Sequence, residues 1–377
     1  MTILVTGASG FIGSFIVSEG LALGHQMWAG IRASSSRQYL QDERIHFAEL
    51  DLGNLDTLRS QLRQLKEKMG GRGWDYVVHA AGATKCIKPE DFYRTNTQGT
   101  KNLVEALLAE GMAPRRFVFI SSLSVFGAIR EEANEANGSN KPNGSNKPNK
   151  ANRTNGANGA NKPNDPCNPL PWRYSPIQLT DTPQPNTAYG KSKLEAEQYL
   201  QKTSGLSWVI LRPTGVYGPR ERDYFLMAQS IKQHVDFAVG YKPQEITFIY
   251  VMDLVKAIFL ALEAEGVEGK AYFLSDGGVY HSRRFSDLLQ EEQGNPWVLH
   301  IKAPLWFLKA VCAVSGKLNA WMHKTTTLNL DKYHILSQRN WQCDIEPARR
   351  DLGYEPEWPL ERGVKATVAW YKENKWL

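Results

Sequence analysis

Cysteine is scarce in this chain of 377 residues. Cys86, Cys167, Cys312 and Cys343 lie far apart and in no metal-ligand spacing, which argues against a disulfide scaffold or a thiolate metal centre and points to reduced cytosolic thiols. Charge of one sign is also in short supply. The 45 basic and 39 acidic residues leave a net +6, with no long basic run or basic stripe to offer a nucleic-acid surface. An anionic small molecule accounts for so mild an excess. Long apolar runs are missing too: the greasiest stretch, Ala303 to Met322, is interrupted by Lys309 and Lys317, short of the ~20 apolar residues that a membrane span needs. It is expected to be an amphipathic helix covering a cleft, with peripheral membrane contact through 303–322 as the alternative. Because the first apolar strand begins almost at Met1, no signal peptide is expected, and the location is expected to be cytoplasmic.

What the chain does have is a 42% hydrophobic composition, enough to bury a sizeable core in one large or two moderate domains. The apolar run Ile3-Leu4-Val5 leads straight into Gly7, Gly10 and Gly13, and the stretch Phe11 to Leu23 is helical in pattern. A strand, a tight turn and a helix N-terminus in that order suit a pyrophosphate, which meets free N–H groups and no obstructing Cβ atoms. Gly7 would make the turn, Gly10 the close approach and Gly13 the helix–strand packing. Phe11 and Ile12 open the helix beside them.

Far downstream, Tyr189 and Lys193 have the i, i+4 spacing that puts both on one helix face. An ammonium beside a phenol lowers its pKa, so Tyr189 is expected to exchange a proton with a carbonyl or alcohol oxygen near neutral pH, with Lys193 also reaching a nicotinamide ribose. A third signal is the strand Phe117 to Ile120, which ends in Ser121 and Ser122. In a doubly wound sheet, ligands sit beyond the carboxyl ends of the strands, where these hydroxyls would lie.

With these three signals the chain resembles the extended short-chain dehydrogenase/reductases of the NAD-dependent epimerase/dehydratase superfamily. The resemblance continues through Asp51-Leu52, His79-Ala80-Ala81-Gly82, Asn96-Thr97-Gln98-Gly99-Thr100 and Leu211-Arg212-Pro213-Thr214-Gly215-Val216-Tyr217-Gly218-Pro219-Arg220, and so covers nearly the whole chain. It implies Ser122, Tyr189 and Lys193 as the catalytic set. It implies cofactor contacts from Asp51 and Leu52 at the adenine, Ala80, Ala81 and Gly82 at the ribose and pyrophosphate, Pro213 at the nicotinamide, and Asn96 and Ser121 nearby. Thr84, Lys85, Phe126, Tyr217 and Arg220 are candidate substrate contacts, Phe126 standing where relatives often carry Tyr. No metal is implied. The resemblance also implies a homodimer through helices near 90–109 and 187–204.

The expected fold is α/β, a Rossmann-type doubly wound parallel sheet with a smaller substrate lobe. Strands are expected near 2–6, 26–31, 45–48, 75–79, 115–121 and 207–211, with a helix at 248–262 and a strand at 271–274 returning to the sheet. Residues 1–212 and 251–274 would form the dinucleotide domain, and 213–250 with 275–377 the substrate lobe. Between Glu131 and Pro169 the composition turns to Asn, Gly, Lys and Pro, and Asn-Gly-Ser-Asn-Lys-Pro-Asn occurs at 137–143 and again at 143–149. This insert, 133–169, is expected to be a disordered, dispensable loop, because it has too little apolar surface to offset its ordering entropy.

The second strand runs into Gly30-Ile31-Arg32-Ala33-Ser34-Ser35-Ser36-Arg37 with no acid to hold a ribose 2′-OH. NADP is therefore expected over NAD, with Arg32 as the clamp and Ser34 or Arg37 as helpers. The leading functional expectation is hydride transfer to or from a ketone or secondary alcohol of a moderately hydrophobic substrate. It follows a resemblance to the 3β-hydroxysteroid-dehydrogenase-like and dihydroflavonol-reductase-like branch. Two alternatives stand beside it: a nucleotide-sugar epimerase or dehydratase with transiently reduced NAD, and a non-catalytic dinucleotide sensor. Leu123 follows Ser122 where sugar dehydratases use an acid, which favours reductase or epimerase over dehydratase.

Overall fold

The computed structural model describes residues 1–132, 174–321 and 330–377; the Asn-rich insert 133–169, with Cys167, lies outside the described residues. Seven strands form one sheet, and those at its centre carry near-continuous apolar runs, the pattern of a parallel sheet buried on both faces. The seven are β1 (Thr2–Thr6), β2 (Gln26–Ile31), β3 (His46–Glu49), β4 (Tyr76–His79), β5 (Arg116–Ile120), β6 (Trp208–Pro213) and a late strand, Lys270–Leu274. Their order in the sheet is Lys270–Leu274, β6, β5, β4, β1, β2, β3, all parallel. The order reverses between β1 and β4, and a ligand crevice opens beyond the carboxyl ends of strands at such a switch.

Helices cover both faces. The helices α1 (Phe11–Ala22), α2 (Leu55–Lys68), α3 (Pro89–Phe92), α4 (Gly99–Ala109), α5 (Ala188–Lys202), α6 (Asp223–Lys232) and α7 (Val251–Glu263) follow in chain order. One core joins Ile16 and Val17 of α1 to Val255 and Ile258 of α7 across Ile3, Val5 and Val118. The other joins Leu58 and Leu62 of α2, Leu103 of α4 and Leu200 of α5 across Leu4, Val77 and Phe119.

The remaining strands make three small sheets among the described residues. β7 (Gly215–Tyr217) pairs with β10 (Phe248–Tyr250), β8 (Val235–Val239) with β13 (Leu299–Ala303), and β9 (Glu245–Ile246) lies between β12 (Tyr280–His281) and β14 (Asn340–Trp341); the Lys270–Leu274 strand is β11. The later helices are α8 (Arg284–Glu292), α9 (Leu305–Trp321), α10 (Leu330–Ser337), α11 (Glu346–Leu352) and α12 (Leu360–Glu373).

The helix expected over 248–262 begins only at Val251, because Phe248-Ile249-Tyr250 pairs in parallel with β7. The helix expected over 90–109 is broken by a π-helical turn, Tyr93–Gln98. No helix among the described residues is long and apolar enough to cross a membrane.

Candidate active site

At the end of β1, Gly7 adopts a φ of +69°, and a Cβ there would lie 2.7 Å from the backbone of Ala81. Only glycine turns the chain this close to the segment after β4. A Cβ on Gly13 would stand 2.2 Å from Gly7 O, so the second close contact ties α1 to the turn. Gly10 is the N-cap of α1 and meets only Gly7 O, at 3.2 Å. With half-buried Phe11 and Ile12 in its first turn, no side-chain cap and no acid there, α1 offers its N–H groups and positive dipole end to an anion.

Arg32 follows β2 and is exposed, held in a tight turn by its N–H donating to Ser35 Oγ at 3.1 Å. Arg37 is turned away to β3, its guanidinium 4.2 Å from the Phe47 ring centre and 3.7 Å from Glu49. After β3, Asp51 Oδ1 accepts from Gly53 N–H at 3.0 Å and Leu52 O accepts from Asn102 at 2.8 Å, which fixes that bend.

Beyond β4, Ala81 N–H points at Thr6 Oγ1 (3.4 Å), and Asn96 braces the chain two residues on through Ala83 N–H to Oδ1 (2.7 Å) and Nδ2 to Ala83 O (3.1 Å). Asn96 Nδ2 also donates to Ser192 Oγ at 2.9 Å. Both amide hydrogens of Asn96 are thus committed to protein, and the residue acts as a strut between this loop and α5. Gly82 is short of a side chain for a reason: a Cβ there would be 3.0 Å from Lys193 Nζ and 3.1 Å from Asn96 Oδ1.

Helix α5 carries Tyr189, Lys193 and, one turn further, Glu197. Its N-terminus is capped by Thr187 Oγ1, which accepts from Gly190 N–H at 2.9 Å, and by Asp331 of α10, which accepts from Ala188 N–H at 3.0 Å. Lys193 is buried, donates to Ile120 O at 2.8 Å, and lies 4.7 Å from the Phe119 ring centre. Burial pulls its pKa down to about 8, with Glu197 opposing. The expected depression of Tyr189 by Lys193 is not what the structure shows. Burial raises the Tyr189 phenol, with Ser122 opposing that rise. Ser122 Oγ also accepts from Ser124 N–H at 3.1 Å, capping the short turn Leu123–Val125.

Ser121 sits at the end of β5, 3% exposed, and its Oγ has no hydrogen-bond partner among the described residues. A buried hydroxyl without a partner is costly unless a ligand satisfies it. Thr214 Oγ1, just past Pro213, is in the same condition. Together with the Gly7–Ala81 approach and the uncapped α1, these groups fit a dinucleotide lying from α1 to the ends of β5 and β6.

The substrate contacts expected from sequence divide differently. Tyr217 is fully buried among Tyr224, Phe248, Tyr250 and Phe285, its hydroxyl 3.5 Å from Leu360 O, and so belongs to the core. Phe126, 1% exposed, packs edge-on to Phe273 at 5.0 Å and against the Arg212 guanidinium. Arg220, at a left-handed φ of +74°, faces α1 instead: it donates to Ser14 Oγ at 2.9 Å and is sandwiched 4.3 Å from both Phe15 and Tyr39. Thr84 is exposed, and Lys85 pairs with Asp223 at the start of α6.

Sequence reasoning missed Asp331 and the buried pair Glu197–Arg212, with Arg212 Nη2 to Glu197 Oε2 at 2.6 Å. The position of Glu197 one turn beyond Lys193, and of Arg212 next to Pro213, was the available signal for the pair; nothing local marks Asp331.

A sequence model of the NAD dependent epimerase/dehydratase family matches residues 3–152 and 169–274. A 3 beta-hydroxysteroid dehydrogenase/Delta 5-->4-isomerase of Mycobacterium tuberculosis is 24% identical, over 98% of this chain and 90% of its own length. A UDP-glucose 4-epimerase of Vibrio cholerae is 25% identical, over 97% and 94%. Among solved structures, the dTDP-glucose 4,6-dehydratase DesIV of Streptomyces venezuelae, with NAD bound, superposes with a TM-score of 0.70 at 21% identity, covering 100% of this chain and 98% of that one.

Proposed function

The chain belongs to the NAD dependent epimerase/dehydratase family, and from that premise we propose that it is an NAD(P)-dependent oxidoreductase acting on a ketone or secondary alcohol of a small, moderately hydrophobic substrate. The observation that carries this reading is the placement of Tyr189 one turn of α5 before the buried Lys193, with Ser122 near enough to oppose the rise in the phenol's pKa. When bound, a nicotinamide dinucleotide supplies or accepts the hydride. Tyr189, kept protonated by burial, gives its proton to the substrate oxygen in reduction and takes it back in oxidation. Ser122 Oγ, near the phenol, shares that oxygen and fixes its position. Lys193 holds a positive charge under Gly82, where it favours the dinucleotide. Asn96 and Ser192 hold loop and helix in register.

An exposed Arg32 at the end of β2, with no acid in the segment Ile31–Arg37, supports NADP as the preferred cofactor. The epimerase reading draws support from the Vibrio cholerae relative. Two experiments separate these readings. Mass spectrometry of dinucleotide released on denaturation should find little carried through purification, and titration should favour NADPH. Stoichiometric NAD would instead support internal recycling, as in an epimerase. Arg32→Asp should shift preference toward NAD by about tenfold or more, ~1.4 kcal/mol; an unchanged ratio would remove Arg32 as the clamp.

A further inference from the structure

Strands β8 and β13 form a two-stranded parallel ribbon that belongs to no larger sheet. Side chains alternate between its faces. One face turns toward α8: Asp236 is 4% exposed and accepts from Arg283 at 3.0 Å and meets His300 at 3.1 Å. The opposite face carries the cross-strand pairs Val235–Leu299, Phe237–Ile301 and Val239–Ala303, and every member is apolar. This face is not covered by the described residues, since Phe237 is 62% and Leu299 49% exposed.

The ribbon continues into α9. Gly240 N–H donates to Ala303 O at 2.9 Å, and a Cβ on Gly240 would touch the Leu305 side chain at 3.6 Å. In the first turn of α9, Trp306 is 72% exposed and Phe307 beside it is also exposed. Trp297 and Tyr241 stand exposed at the two ends of the ribbon. Isolated exposed apolar residues need no explanation, but a continuous aromatic and aliphatic face marks an interaction surface.

Charge identifies what fits it. From Asn295 to Ala313 the chain contains no aspartate or glutamate, while the exposed Lys302 and Lys309 fall in that interval. Lys302 alternates to the other face of β13 but is exposed and reaches the Tyr241 ring at 5.2 Å, at the end of the ribbon. An apolar centre, tryptophan and tyrosine at the margin and lysines without acids are the composition of a surface that lies on anionic lipid. A two-fold contact between copies would set this lysine-bearing, acid-free interval against itself.

We propose that the outer face of the β8–β13 ribbon, with the first turn of α9, docks on an anionic membrane surface. The docking is independent of the chemistry proposed above, and its test reads binding alone. The full chain is sedimented with vesicles of phosphatidylcholine containing phosphatidylglycerol, and with vesicles of phosphatidylcholine only. Binding to the anionic vesicles should be ~10-fold tighter or more and should weaken as salt is raised. Phe237→Glu/Ile301→Glu should abolish it. Lys302→Glu/Lys309→Glu, on exposed positions, should erase the preference for anionic lipid with the melting temperature unchanged, and decides the matter if the first variant fails to fold. Absence of wild-type binding, or equal binding by folded variants, would overturn the proposal. So would a wild-type dimer that the Phe237→Glu/Ile301→Glu change splits while no form binds vesicles.

Discussion

Tyr189 and Lys193 are shifted in directions that their spacing alone does not give. Burial raises the phenol and lowers the ammonium, so each is held nearer its neutral form than in water. The charge on Lys193 is therefore present below about pH 8 and lost above it. Dinucleotide affinity and kcat/KM should fall as pH rises through that value. Lys193→Met, which has no charge to lose, should show lower activity and no limb near pH 8 in the same profile. At this scale the glycines were legible, because a turn that approaches another backbone admits no other residue. Tyr217 and Phe126 were not, since an aromatic beside a motif has the same identity whether it lines a cleft or fills a core. The alternation of a short strand sends Tyr217 inward. Arg220 escaped for a different reason: its left-handed backbone turns the guanidinium back onto α1.

Helix α5 holds the face that carries Tyr189 and Lys193 in place through five separate contacts. Thr187 and Asp331 cap its start, Asn96 and Thr97 bond to Ser192, and Glu197 pairs with Arg212 of β6. Glu197 is fully buried and Arg212 nearly so, so removing one partner leaves the other charge uncompensated. Glu197→Ala should cost roughly 3–5 kcal/mol, read from urea denaturation. A loss under ~1 kcal/mol would mean that the pair contributes little. Strands with a strong apolar run, such as β1 and β5, could be read from sequence within a residue or two. The segment 248–262 could not, because a short apolar run does not distinguish strand from helix. Its Phe-Ile-Tyr start becomes β10 only because β7 is there to pair with it. The π-helical turn before α4 likewise has no local signature, although it is what delivers Asn96 and Thr97 to Ser192.

Across the whole molecule, the alternation of strands and helices carried the doubly wound sheet. What it did not carry were the small sheets and the cap that Asp331 brings to α5 from a distant helix, because these depend on contacts between segments with no shared periodicity. One buried group ties global stability to the site. His79, at the end of β4, lies between Thr6 Oγ1 at 2.6 Å and Thr100 Oγ1 at 2.9 Å, and burial lowers its pKa from 6.5 to about 3. The unfolded chain takes up this proton between those values and the native chain does not. Stability should therefore fall as pH drops from about 6.5 toward 3, by up to ~1.4 kcal/mol per pH unit. His79→Gln should flatten that part of a urea-denaturation profile. The chemistry itself is tested most directly by transfer of deuteride from C4-labelled NADPH or NADH to a panel of ketones, in wild type and Tyr189→Phe, with dinucleotide affinity measured on both. Wild type should label the alcohol product, and the variant should be slower by ~10²–10⁴ at unchanged affinity; equal rates, or a wild type that binds dinucleotide and transfers nothing, would contradict the assignment.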